Sequence, residues 1–145
     1  MRKLVRDAGL NVEVDSCGTA GWHIGKSPDP RAMAEATAMG YDLSALRARQ
    51  LNESDFDAFD FIFAMDDSNL RNIQSIAPTS HHAVIQKFTE LLPTDHPMFG
   101  KDVPDPYYED NFPEVLSLIE EGPRALVTRL QTYPHCFPAT SPNAL

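Results

Sequence analysis

Apolar and polar positions along the chain follow two periods. In "VEVDS" (12–16) every second residue is apolar, the pattern of a strand with one covered face. "FDFIFAM" (59–65) is almost continuously apolar, as expected for a strand covered on both faces. "HAVIQKF" (82–88) reads as a further strand. Helical signals lie between and around them. Met1 to Ala8 makes a turn or two, with Gly9 as the stop. Asp29 can cap a helix that has Pro30 at its first position and ends at Gly40. Asp66 or Ser68 caps another, through about Ile76. From Phe112 to Gln131 the apolar positions 112, 115, 116, 119, 126, 127 and 130 have helical spacing, with a candidate kink at Gly122 and Pro123. Short strands alternating with helices predict an α/β fold, a parallel sheet with helices on both faces. No internal repeat is visible. "TYPHCFPATSPNAL" (132–145) has three prolines and no periodicity and is expected to be a disordered tail, which leaves 1–131 as one domain.

The 145 residues suit a single domain, and a hydrophobic content of 42% suffices for one core. A formal charge of −9 makes nucleic acid and acidic membrane surfaces poor partners. A local anion site built from backbone N–H groups stays open. Cys17 and Cys136 do not make a disulfide framework, so the expected compartment is the reducing cytoplasm. No apolar run reaches the length of a membrane span, and "MRKLVRDAGL" has no apolar core of a signal peptide. His81 and His82 are adjacent at the start of a predicted strand, and neighbouring side chains on a strand point to opposite faces. His23, His96 and His135 lack ligand spacing, so no metal is expected.

The stretch richest in candidate chemistry is "VPDPYYED" (103–110). Pro104 and Pro106 stiffen the backbone around Asp105, and Tyr107 and Tyr108 follow it. Taken alone, such an aspartate is an ordinary turn residue. Three other stretches change its weight. "DSCGTAGWHIGKSPDPRA" (15–32), "ARQL" (48–51) and "FDFIFAMDDSNLR" (59–71) accompany "DPYY" in one order along the chain. Together they resemble the low-molecular-weight protein-tyrosine-phosphatase family, bacterial members most closely, from Met1 to about Gln131.

That resemblance implies a four-stranded parallel sheet whose first strand lies between the second and third. It implies that Asp105 is the general acid that protonates the tyrosine oxygen leaving phosphorus, then the base toward the hydrolytic water. Tyr107 and Tyr108 would flank the substrate ring; otherwise they half-cover the sheet end. Trp22 would form the opposite wall of the cleft; otherwise it makes a small satellite contact. Ser16 matches a serine that holds the phosphate loop. Asp66 either supports the acid loop or only caps its helix. Cys17 stands where relatives have a small residue and reads as a small buried hydrophobe.

The family's nucleophile sits on an N-terminal Cys-x5-Arg-Ser/Thr loop. Five residues after Cys17 the arginine position holds His23, and five after Cys136 it holds Pro142, so neither cysteine begins that motif. The first strand and the phosphate loop are therefore expected to be missing from this chain, roughly 25 residues by the size of phosphate-binding βα units. A truncated or mis-started chain would expose strand edges at 12–16 and 59–65. The complete protein is expected to be the enzyme, with a phosphotyrosine protein as partner, a bacterial tyrosine kinase among the candidates. It needs no cofactor, and this chain alone is expected to be inactive. The alternatives are a pseudophosphatase that keeps the aromatic cleft as a binding module and an arsenate reductase of the same fold. The latter needs redox cysteines that this sequence lacks.

Overall fold

The computed structural model describes residues 1–106 and 111–133. In chain order the elements are α1 (Arg2–Asp7), α2 (Pro30–Ala38), α3 (Asp55–Ala58), β1 (Phe61–Ala64), α4 (Asp67–Ile76), β2 (Val84–Lys87), a 3₁₀ turn (Phe88–Leu91) and α5 (Phe112–Thr132). β1 and β2 pair in parallel, with Phe61 opposite Val84 and Ala64 opposite Lys87.

The strand pattern explains the layers. Alternate residues of β1 point to opposite faces. Ile62 and Ala64 join Ile85 of β2, Leu51, Phe56 of α3 and Ile73 of α4 in one apolar cluster. Phe63 joins the other, with Phe88, Leu91 and the α5 residues Ile119, Leu126 and Leu130. Helices therefore cover both faces, and the fold is the predicted α/β arrangement with a parallel sheet.

The ladder has two strands among the described residues, where the sequence predicts three, at 12–16, 59–65 and 82–88. "VEVDS" (12–16) is a correction: it forms no strand. Alternation alone does not make a ladder, because a strand needs a neighbour for its backbone groups. Only the single parallel bridge between Gly18 and Gln50 lies nearby. Cys17 is also corrected, from buried to exposed.

Local signals set the helix ends as expected. The Asp29 carboxylate accepts from the backbone N–H of Arg31 at 2.8 Å, and Pro30 opens α2. Gly40 ends that segment at φ +81°, a conformation that costs glycine little.

In α5 the helix runs unbroken through the expected kink, and Pro123 is among the fully buried side chains. Gly122 lets the helix approach Phe88: a Cβ there would stand 3.0 Å from the ring atoms Cε1 and Cζ. Gly122→Ala therefore sets a helix-propensity gain of about 1 kcal/mol against an overpacking cost of ~1–3 kcal/mol. Phe88 is only 4% exposed and has little room to yield, so the cost wins. The expected result is a lower denaturation midpoint in urea; an unchanged or higher midpoint would show that the ring shifts freely.

Candidate active site

The site is built where the carboxyl ends of β1 and β2 meet α4. In open parallel sheets this edge gathers functional groups, because the connecting loops converge there. β1 ends at Ala64, and Met65 and Asp66 lead into α4. Asp66 has an extended backbone, and its carboxylate accepts from the backbone N–H of Asn69 at 2.6 Å. It is the helix cap that its type and position predict.

β2 ends at Lys87, whose side chain is only 13% exposed. Its ammonium reaches Oδ1 of Asp67 at 2.5 Å and Oδ1 of Asp102 at 2.8 Å. It also donates to the Gly100 carbonyl at 3.1 Å. The same Asp102 oxygen accepts the backbone N–H of Asp67 at 3.1 Å, at the start of α4. The Asp102 and Asp67 carboxylates raise the Lys87 pKa, and Lys87 lowers that of Asp102. Both groups are charged at neutral pH. One residue on, the Val103 N–H donates to the Met65 carbonyl at 2.8 Å, beside the end of β1. The Thr89 hydroxyl donates to the Lys101 carbonyl at 2.6 Å.

Residues 100–103 are thus fastened to the sheet edge at several points. Asp105 follows after Pro104 and is exposed. Tyr107 and Tyr108 lie outside the described residues.

Trp22 is 81% exposed. Its loop is held by Gly18 and the 49–51 segment: Gly18 N–H donates to the Arg49 carbonyl, and Leu51 N–H to the Gly18 carbonyl, each at 2.9 Å. Ser16 is exposed and lines a small hollow of about 140 Å³ with Lys26, Ser27, Pro28 and Arg47. Beside it Arg49 joins two carboxylates, donating to Asp15 at 2.8 Å and to Asp55 at 2.9 Å. Desolvation, only partly offset by the Arg49 guanidinium, pushes the Cys17 thiol up. Cys17 is therefore protonated at neutral pH and a poor nucleophile.

His81 precedes β2 and meets the Phe56 ring edge-on at 5.5 Å. His82 faces Asp60, at 3.8 Å. No group of three or more His, Cys, Asp or Glu among the described residues is placed to hold a metal ion. No described helix is long and apolar enough to cross a membrane.

Sequence reasoning missed Lys87, Asp102, Asp67 and Arg49. A usable signal existed for the first: a lone lysine ends an apolar strand, at the sheet edge where loops converge.

Comparisons with known proteins agree with one another. The family model described as low molecular weight phosphotyrosine protein phosphatase matches residues 1–134. The chain is 44% identical over 110 residues to a Schizosaccharomyces pombe protein named low molecular weight phosphotyrosine protein phosphatase, covering 74% of this chain and 68% of that one. It is 40% identical over 136 residues to a Streptomyces coelicolor low molecular weight protein-tyrosine-phosphatase, covering 90% and 81%. Among solved structures, a protein tyrosine phosphatase from Entamoeba histolytica superposes with a TM-score of 0.80 at 29% identity, covering 92% of this chain and 85% of that one. YfkJ from Bacillus subtilis superposes with a TM-score of 0.79 at 37% identity, covering 90% and 82%.

Proposed function

Because the chain belongs to the low molecular weight protein-tyrosine-phosphatase family, we propose that it carries the general-acid side of a phosphotyrosine phosphatase site. The observation that supports this most is the fastening of residues 100–103 at the carboxyl end of the sheet. The Lys87 ammonium and the Val103–Met65 hydrogen bond hold the chain a few residues before Asp105.

In this reading the protonated Asp105 carboxyl gives its proton to the phenolic oxygen as the P–O bond to tyrosine breaks. The phosphoryl group passes to a cysteine thiolate. Asp105, now a carboxylate, takes a proton from the water that releases phosphate and regenerates the thiolate. Trp22 supplies one wall for the ring, and Tyr107 and Tyr108 the other. Ser16 braces the phosphate loop, and Asp66 fixes the start of α4 beside the acid loop. The substrate is a phosphotyrosine protein of the cytoplasm, a bacterial tyrosine kinase being one of the class.

The thiolate and the phosphate-binding arginine belong to a Cys-x5-Arg loop, which none of the 145 residues supplies. Cys17, protonated and followed by His23 at the arginine position, does not substitute for it. The chain alone is therefore expected not to hydrolyse p-nitrophenyl phosphate. Joined at its N-terminus to a family first strand and Cys-x5-Arg loop, it is expected to do so. Turnover by the 145-residue chain, or none by a folded completed chain, would overturn the proposal. Binding of a phosphotyrosine peptide by the 145-residue chain, without turnover, would favour a pseudophosphatase instead.

A further inference from the structure

We propose that Lys87 is the positioning residue of the acid loop: it binds Gly100 and Asp102 to the start of α4 and thereby fixes where Asp105 stands. The proposal rests on the phosphatase reading for the role of Asp105, but the fastening itself does not.

An ammonium has three N–H donors. Those of Lys87 meet three acceptors: Asp67 at 2.5 Å, Asp102 at 2.8 Å and the Gly100 carbonyl at 3.1 Å. Two of the three lie on the acid loop and one at the N-terminus of α4. The flexible stem is largely covered, at 13% exposure, so the head is held rather than waving in solvent. The charge also solves a problem of its own neighbourhood. Asp67 and Asp102 both approach one nitrogen, so without it two carboxylates would face each other across a short gap and repel. The Asp67 N–H at the helix start holds Asp102 as well, at 3.1 Å, but as one neutral donor. Removing the ammonium leaves the loop with repulsion where it had attraction.

The restraint is passed on to Asp105 by a short, stiff connection. Val103 precedes a proline and is biased toward extended backbone, Pro104 has a fixed φ, and Asp105 itself precedes Pro106. The anchoring of Asp102 therefore narrows the range open to the Asp105 backbone.

The test is nuclear magnetic resonance on the 145-residue chain, which reads the loop directly and needs no turnover. Lys87→Met is expected to speed amide hydrogen exchange of Val103 by about tenfold or more, as local opening becomes easier. It should also shift the side-chain carboxyl resonance of Asp105. Amides within α2 should keep their protection, which a general loss of stability would not allow. Lys87→Arg keeps the charge but not the three-way geometry, and should fall between wild type and Lys87→Met. If Lys87→Met does not fold, Asp102→Asn makes the same test, because it weakens the loop's tie while Lys87 keeps Asp67. An unchanged Val103 rate together with an unchanged Asp105 resonance in the variants would overturn the proposal. Loss of protection throughout the chain, in both Lys87→Met and Asp102→Asn, would also overturn it. Failure of a completed chain to turn over substrate would sink the phosphatase reading and leave these results standing.

Discussion

Asp105→Asn, in a chain completed with a Cys-x5-Arg loop, is expected to slow hydrolysis of phenyl phosphate about 10²- to 10⁴-fold. Phenolate is a poor leaving group and needs a proton as it departs. The same change should slow p-nitrophenyl phosphate much less, because p-nitrophenolate leaves well without help. The contrast separates acid catalysis from a loss of fold or of binding. Asp105 is exposed and asparagine keeps its size, so the fold should hold, which circular dichroism checks. Hydrolysis of the phosphocysteine should slow as well, because the base is gone. Equal slowing of both substrates would assign Asp105 to substrate placement instead.

Much of this site is legible in the residues themselves, and the reason is range. The Asp29 cap with Pro30, the Asp66 cap and the prolines around Asp105 are signals between residues at most three positions apart. Such signals act through the local backbone, so the residues alone specify them. The apolar runs mark β1 and β2 for a similar reason. "VEVDS" misleads because its pattern describes a covered face, and nothing in the pattern says whether a neighbour is present. Gly122 and Pro123 read as a candidate kink, since both disfavour helix locally. In the fold they are a contact: the missing Cβ makes room for Phe88, and tertiary packing outweighs local propensity. The Lys87 fastening is hidden for the opposite reason. It joins Lys87 to residues 15 and 13 positions further on and, through the parallel pairing of β1 with β2, to Asp67 at the start of α4.

That pairing depends in turn on the core beneath it, and Phe56→Ala tests it. Phe56 has no exposed surface and lies with Leu51, Ala64 and Ile73, so it supports both β1 and α4. Truncation to alanine should cost about 3–5 kcal/mol, the transfer term plus the void it leaves. A domain of ordinary stability has only about 5–15 kcal/mol in all. The denaturation midpoint should therefore fall steeply, while the urea m-value, which tracks the surface exposed, should hold. Phe56→Leu, which leaves a smaller void, should lose less. The acid loop should feel the change through the elements that the ring supports. The Met65 carbonyl, which accepts from Val103, follows β1, and the Asp67 N–H, which donates to Asp102, belongs to α4. If Phe56→Ala lowered stability by less than about 1 kcal/mol, the site would lose the buried footing on which its position rests. A full loss, with Val103 protection falling in step with that of α4, would show that the core holds the sheet edge and the acid loop as one cooperative unit.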